Sequence, residues 1–473
     1  MDKANGKTPS GNIQRGTEHL IDHPIIRNLG RLFESAGFEL YLVGGSVRDA
    51  LLGRLHEDFD FATSAAPEQT LRVVRGFADD IWQVGMAFGT IGLAKAQAKI
   101  EITTFREEIY PDDNRHPQVT FTPTIDSDLS RRDFTINAMA IKLPSGAFID
   151  LFNGISDLAA GRLATPVSAE QSFTDDPLRM VRALRFMAQL NMTLAPEVVE
   201  AIIKFGPRLE IVSKERVRDE LTKLLVADSP GPAITAICDT QLATFIIPEL
   251  IELARLRDPA NRHKDVLKHT LTVLDSVPPE AELRLAALLH DIGKPRTKSV
   301  DKDGIHFFHH EVVGAKIAGR RLKELRYPVK TIAEVKTLIE FHMRFHTYRL
   351  GWTDKAVRKY VREVGPERLA ALSALVRADC TTQNPFLSRK YGRLLDELET
   401  RITTLEAEEE SAKMRPTLDG DEIMEFLKLS PGPTVGKVLE MLLEARLAGT
   451  VKTKPEAYEL TREWAKENLG IEV

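Results

Sequence analysis

The chain has 473 residues, room for roughly three or four domains at ~150 residues each. Its 64 basic side chains against 69 acidic ones, a net charge of −5, exclude a protein that coats nucleic acid non-specifically, but leave room for a local basic groove. No apolar run is long enough to span a bilayer, the polar start of the chain lacks a signal-peptide core, and Cys238 and Cys380 stand too isolated for a disulfide framework or a zinc site; a cytoplasmic protein is expected.

Residues 1–19, polar and carrying Pro9, Gly11 and Gly16, are expected to be disordered. Ile26, Leu29, Leu32 and Phe33 fall at helical spacing. Leu40, Tyr41, Leu42 and Val43 then form a short apolar run, the pattern of a buried strand, ahead of Gly44 and Gly45. Two residues without a Cβ let the backbone turn sharply and bring its N–H groups onto an anion. Residues 47–52 read as a helix whose start favours that anion, with Gly53 as its stop. Asp58-Phe59-Asp60 follows. On a strand, residues two apart share a face, so both carboxylates point to one spot while Phe59 and Phe61 turn into the core. Carboxylates held this close repel unless a cation lies between them, and Mg²⁺ takes such oxygens together with substrate phosphates. A glycine-cradled triphosphate beside a carboxylate pair that holds Mg²⁺ describes nucleotidyl transfer.

A helix is expected over residues 67–74, and antiparallel strands over 81–84, 89–94 and 99–105. Glu101, beside Thr103 and Thr104, is either a third carboxylate for the metal or an exposed strand residue. Residues 110–128 are polar, rich in Pro and Asp and without periodicity, which suggests a long loop serving as a flap over the nucleotide. Residues 130–139 read as a helix start. Its basic pair is either a surface salt bridge or a phosphate clamp, with Arg132 suited to phosphate oxygens and Asn137 to the sugar. A strand and turn at 148–154 and Gly161-Arg162-Leu163 close this domain. Further on, Pro177 suits a first helical position with Asp175 or Asp176 as cap, and Arg179, Arg182 and Arg185 make a basic stripe. Such a stripe is a solvated face unless its helix packs on the preceding domain, where it would face the triphosphate. Helices continue to the C-terminus. Among them His269, His290, Asp291, His310, His342 and Asp379 stand out, and the apolar helix before His290-Asp291 ends in that dyad. Imidazole with carboxylate suits a transition metal or Mn²⁺; a metal-free helical scaffold is the alternative.

The run from Tyr41 to Thr63 resembles the head signature of the nucleotidyltransferase superfamily, in the branch shared by tRNA CCA-adding enzymes and bacterial poly(A) polymerases. Ser130-Arg-Arg-Asp-Phe-Thr-Ile-Asn-Ala-Met139 resembles its second motif. Asp175-Asp176-Pro-Leu-Arg179 resembles its base-selection motif Glu-Asp-x-x-Arg, with Asp175 in place of the Glu, and residues 213–221 resemble its next helical motif. The order His…His-Asp…His…His…Asp resembles the HD phosphohydrolase superfamily. There His269, His290, Asp291 and Asp379 match the core ligand set, and His310 and His342 match the extra histidines of two-metal members. The tail, residues 418–447, is similar to the RNA-facing segment that follows the HD domain in bacterial CCA-adding enzymes.

The resemblance implies an α+β protein: a small mixed-sheet nucleotidyltransferase head at 20–165, then an all-helical body with a neck at 166–255, an HD domain at 256–400 and a C-terminal tail at 401–473. It implies a tRNA nucleotidyltransferase that builds or repairs the 3′-terminal CCA from CTP and ATP with no nucleic-acid template. Asp58, Asp60 and Glu101 would be catalytic, with Mg²⁺ on Asp58 and Asp60. Gly44, Gly45, Ser46, Arg48, Arg132, Asp133, Asn137, Arg182 and Arg185 would hold the nucleotide, and Asp176 and Arg179 would pair with its base. The six HD residues would hold a second divalent metal, Mn²⁺ or Ni²⁺, for phosphoester hydrolysis at RNA ends. The partners are the tRNA 3′ end, CTP and ATP, with no membrane. Three rivals stand beside this. A poly(A) polymerase of this branch tends to carry a Gly-Arg-Arg-Phe-type run where this chain has Gly85-Met-Ala-Phe-Gly-Thr-Ile. The others are an HD phosphohydrolase with a nucleotide-sensing head and a non-catalytic RNA-binding protein. Full CCA addition versus CC or A alone, and the oligomeric state, are not legible.

Overall fold

Alternation of apolar and polar residues builds one sheet whose two faces do different work. The computed structural model describes residues 20–471 except 55, 110–117, 123, 257–265, 303, 381–384 and 414. The expected disorder of residues 1–19 lies outside the described residues. The strands are β1 (Leu40–Val43), β2 (Asp58–Thr63), β3 (Asp80–Trp82), β4 (Thr90–Lys95), β5 (Ala98–Thr104), β6 (Arg106–Ile109), β7 (Gln118–Phe121), β8 (Met139–Leu143) and β9 (Ala147–Asp150). Seven of them form a mixed sheet in the order β3-β4-β5-β2-β1-β8-β9. Only the β2–β5 pair is parallel, among antiparallel neighbours. Leu42, Phe59, Phe61, Ile100, Ile102 and Ile141 cover one face and pack with Ile26, Leu29 and Phe33 of the helix Pro24–Ser35. Truncating a buried aromatic such as Phe61 to alanine would cost about 3–5 kcal/mol. That core frees the other face of β2 and β5 for carboxylates.

The first strand and the helices at Gly45–Leu51 and Pro67–Val74 lie where their spacing predicts them. Three segments differ. Residues 110–128 are not one loop: β6 and β7 pair as a hairpin on either side of the undescribed residues 110–117, and Ile125–Ser130 is helical. The flap itself therefore falls on residues outside the description. Residues 130–139 do not start a helix. They leave one at Ser130, pass through a 3₁₀ turn at Thr135–Asn137 and enter β8, with Arg131 and Arg132 just past the helix end both paired to Asp128. The strand and turn at β9 are followed by a further helix, Gly154–Ala160, closed by Gly161 at φ 62°.

The chain divides into two compact units, Met1–His342 and Met343–Val473. Beyond the sheet, the first is mostly helical, with Leu178–Leu190 and Lys214–Leu225 packed together. The body is not purely helical: Lys298–Asp301 and Gly304–Phe307 form a hairpin. The second unit holds Leu369–Asp379, the 29-residue helix Pro385–Lys413 and three tail helices around Ile423, Val438, Leu442 and Ala457. No described helix is long and apolar enough to cross a membrane.

Candidate active site

Asp58 and Asp60 point from the same side of β2, both exposed, while Phe59 between them and Phe61 after them are buried. The parallel register sets Glu101 of β5 directly opposite Asp60. The antiparallel register sets Gly92 of β4 opposite Glu101, and Trp82 of β3 opposite Gly92. Gly92 has no Cβ because the Trp82 indole occupies that space. Although the Asp60 side chain reaches solvent, the protein packed around its carboxyl removes enough water to raise its pKa above the ordinary carboxylate range; Arg132 opposes the rise, and the negative charges of Glu101 and Asp58 add to it. Glu101 is paired with Lys99 at 3.0 Å. Three carboxylates thus project from adjacent strands at one place on the sheet, and carboxylate oxygens are the ligand type that a hard divalent cation such as Mg²⁺ takes.

Asp60 and Glu101 line a cavity of about 310 Å³ together with Asp133, Asp176 and six arginines: Arg106, Arg131, Arg132, Arg179, Arg182 and Arg216. A basic chamber thus exists inside an acidic chain. Gly44, which follows the lining residue Val43, has φ 69°, and a Cβ there would lie 2.9 Å from Arg132 Nη1 and 4.0 Å from Asp60 Oδ2. Ser46 ties the following helix to β2: its hydroxyl accepts from Asp60 N at 3.1 Å and lies 3.3 Å from the Asp58 carbonyl.

Two buried carboxylates set the arginines, and spacing alone ranked neither above its neighbours. Asp128, fully buried, accepts from Arg131 Nη2 at 2.8 Å and Arg132 Nη2 at 3.0 Å. Burial would raise its pKa, but Arg132 and Arg131 outweigh that and hold it below the usual value. Its place three and four residues before the arginines was the available signal. Asp133 accepts from Asn137 Nδ2 at 2.9 Å and from Arg182 Nη2 at 2.5 Å. Burial opposes its ionisation, yet Arg182, Asn137 and Arg179 bring its pKa down to about 2. Arg48 donates to Asn137 Oδ1 at 2.7 Å and to both oxygens of Asp49, so it braces the second motif rather than lying open to a phosphate. Arg185 is likewise turned away: it pairs with Glu220 at 3.1 Å and lies 4.2 Å from the Phe186 ring centroid. The expected stripe is therefore split. Arg179 and Arg182 line the cavity, and Arg185 anchors the helix to Lys214–Leu225.

Arg179 donates to Ser172 Oγ at 2.9 Å and to the Arg131 carbonyl at 2.5 Å. Asp176 caps the start of Leu178–Leu190 by accepting from Leu178 N at 3.1 Å, and its other oxygen accepts from Arg216 at 2.9 Å. Arg216 and Glu220 lie in the helical run singled out above, one turn apart on its charged face.

A second cluster lies further along the same unit. His269, His290 and Asp291 present donor atoms within 4.8 Å of one another, and so do Asp291, His310 and His342. Nδ1 of His290, His310 and His342 lies 2.8, 2.8 and 2.6 Å from the carbonyls of Ala287, Phe307 and Ile339. A carbonyl only accepts, so each Nδ1 carries the proton and each Nε2 keeps its lone pair, the form that binds metal. Burial lowers the His310 pKa and favours that neutral form. Asp291 also accepts from Lys294 at 2.6 Å. Gly293 and Gly314 let the His310 helix approach the dyad closely. The donor set suits a divalent transition metal. Asp379 ends a helix of the second unit.

Head sheet, carboxylate face and basic chamber together define a nucleotidyltransferase. The family profiles agree with this: "Poly A polymerase head domain" matches residues 40–164, "Probable RNA and SrmB- binding site of polymerase A" residues 191–253, and "HD domain" residues 264–381. The A-adding tRNA nucleotidyltransferase of Deinococcus radiodurans is 34% identical over 444 residues, 91% of this chain and 96% of that protein. The CCA-adding enzyme of Leuconostoc mesenteroides is 37% identical over 247 residues, 52% of this chain and 59% of its own length. The Bacillus stearothermophilus CCA-adding enzyme, solved in complex with CTP, superposes with a TM-score of 0.60 at 26% identity, over 98% of this chain and 99% of that one. The Thermotoga maritima CCA-adding enzyme complexed with tRNA shares the fold, with a TM-score of 0.55 at 21% identity over 95% and 97%. The chain belongs to the class II CCA-adding tRNA nucleotidyltransferases, with a poly(A) polymerase head, an RNA-binding region and an HD domain.

Proposed function

We propose that the protein builds the whole 3′-terminal CCA of tRNA from CTP and ATP. The observation that carries this is the end-to-end match with a CCA-adding enzyme that was solved with CTP. The relative matched over 96% of its length is A-adding, which favours a second reading, addition of the final A alone. Transcripts lacking the 3′ end, or ending in C or CC, incubated with CTP or ATP singly, separate the two: incorporation of CTP onto the shortest transcript supports the first, and ATP onto CC alone the second.

Asp58 and Asp60, with Glu101 opposite, would hold Mg²⁺, which supplies polarisation of the α-phosphate and acidifies the attacking 3′-hydroxyl. The chain's own residues do the placing. Arg132 and Arg182, each fixed by a buried carboxylate, would meet phosphate oxygens without having to reorganise. Gly44 leaves room for the triphosphate beside Arg132. Asp176 and Arg179 would read the base: a carboxylate accepts from the exocyclic amino group that cytosine and adenine share, and a guanidinium donates to ring acceptors. Their hydrogen bonds to Leu178, Arg216, Ser172 and the Arg131 carbonyl support this by holding both groups still. Transfer of this kind depends mostly on positioning and electrostatics.

We also propose that the His-Asp cluster binds Mn²⁺ or Ni²⁺ and hydrolyses phosphoesters at RNA ends. The convergence of His269, His290, Asp291, His310 and His342 favours it.

A further inference from the structure

Among the described residues only three phenylalanines are exposed: Phe88, Phe121 and Phe308. Two of them meet at one glycine. Phe88 ends the 3₁₀ turn Met86–Phe88, Gly89 follows at φ 83°, and a Cβ on Gly89 would lie 2.8 Å from Phe121 Cε1. Val84, on the same short connection, is 92% exposed. Exposed aromatics beside a deep polar cavity are costly to leave wet, and none of the carboxylate or arginine chemistry above uses them.

Their place is specific. Arg106, which lines the cavity, donates to the Phe88 carbonyl and pairs in register with Phe121. Thr103, also lining it, hydrogen-bonds through its hydroxyl to that of Thr90 at 3.0 Å, one residue past Gly89. Glu101 and Thr103 share a face of β5, about 7 Å apart along the strand. The wall therefore runs from the carboxylate that faces Asp60, through Thr103 and Arg106, to Phe88 and Phe121. A chain whose last hydroxyl reaches Asp60 and whose backbone follows that wall places its preceding bases over the two rings.

We propose that Phe88 and Phe121 form a stacking platform for the unpaired bases just upstream of the acceptor hydroxyl, with Arg106 beside them for the backbone phosphate. The occupant is single-stranded RNA: every base has a π-face, so one platform accepts C or A as the end grows, while the cation meets the phosphate. This rests on the reading of the protein as a tRNA nucleotidyltransferase and names the surface that receives the primer.

The test uses the full chain, a tRNA transcript ending in CC, and ATP. Phe88→Ala and Phe121→Ala should each raise the KM for tRNA on the order of tenfold, as alanine replacement of a stacking aromatic does. The KM for ATP should stay within about twofold, since the nucleotide pocket is untouched. Tyrosine at either position should restore tRNA affinity, and leucine, equally apolar but without a π-face, should not. An unchanged tRNA KM, a leucine variant as good as the wild type, or an equal rise in both KM values overturns the proposal. So does a shift in elution volume of the wild type relative to both alanine variants, which would assign the patch to a second copy of the chain. If the wild type adds nothing to any transcript, the underlying reading fails instead, and the result is distinct because no variant is needed to see it.

Discussion

Asp60 and Glu101 face each other across the one parallel pair of an otherwise antiparallel sheet. The parallel register sets the two carboxylates side by side, and the partial loss of water around the Asp60 carboxyl makes its negative charge costly unless a cation answers it. Asp58→Ala and Asp60→Ala should each lower nucleotide addition by about a thousandfold or more, the several kcal/mol a metal contributes to a phosphoryl transition state. Both side chains are solvent-facing on a buried strand, so the melting temperature should stay within a few degrees. Substantial residual activity in either folded variant rules the role out.

Gly44→Ala should fail for two reasons at once. Alanine at φ 69° costs about 1–3 kcal/mol of strain, and its methyl would press on Arg132. Urea unfolding should show that loss of stability, and the KM for nucleotide should rise with it. A variant of unchanged stability would mean that the turn relaxes.

Asp133 makes acid stability measurable. Its folded pKa, about 2, lies below the ordinary aspartate value of 3.8, so its contribution is present above about pH 4 and is lost as the pH falls towards 2. The shift is worth about 2 kcal/mol. The stability gap between wild type and Asp133→Asn should therefore be widest near neutrality and should narrow progressively below pH 4. A gap that is flat from pH 6 to pH 3 would show that folding does not lower the Asp133 pKa.

Arg179→Ala should lose base discrimination as well as rate, so that UTP and GTP gain on CTP and ATP. An equal fall in rate for all four nucleotides would make Arg179 a phosphate contact. Because Arg179 also holds the Arg131 carbonyl, lysine should not restore selectivity: it lacks the planar fork.

The His-Asp cluster should be separable from addition. His290→Ala or Asp291→Ala should abolish release of phosphate, or opening of a 2′,3′-cyclic end, with Mn²⁺ or Ni²⁺, while nucleotide addition stays largely intact. Added metal should raise the melting temperature of the wild type and not of the variants, because a ligand of the folded state stabilises it. Absence of both metal and hydrolysis leaves a helical scaffold.

Periodicity carried much of this architecture. The same-face spacing of Asp58 and Asp60, the two-glycine turn after β1 and the helix at Pro67–Val74 are local patterns, and local patterns survive folding. The opposition of Glu101 and Asp60 needed the strand register, which one sequence does not contain; spacing left Glu101 balanced between two readings. Asp128 is hidden because residues 110–128 read as a loop, and Arg216 and Glu220, inside a motif, carry no assigned role because a charge on a helix reads as solvated until its partner arrives from elsewhere in the chain. For the same reason Arg48 and Arg185 looked like phosphate ligands although their guanidinium groups are spent on Asp49, Asn137 and Glu220. The β6–β7 hairpin escaped because its strands are four residues each and flank a polar stretch, too short for alternation to register.

The rung Trp82–Gly92–Glu101–Asp60 also makes the site optically addressable. Of the three tryptophans in the chain, Trp82 is the one in the first unit, and its indole lies over Gly92, one strand from Glu101. Ions and triphosphates arriving at the carboxylates change the field on that ring. With Trp352 and Trp464 replaced by phenylalanine, the remaining emission becomes a built-in reporter of metal and nucleotide occupancy. Stopped-flow mixing could then resolve binding from chemistry without any attached dye.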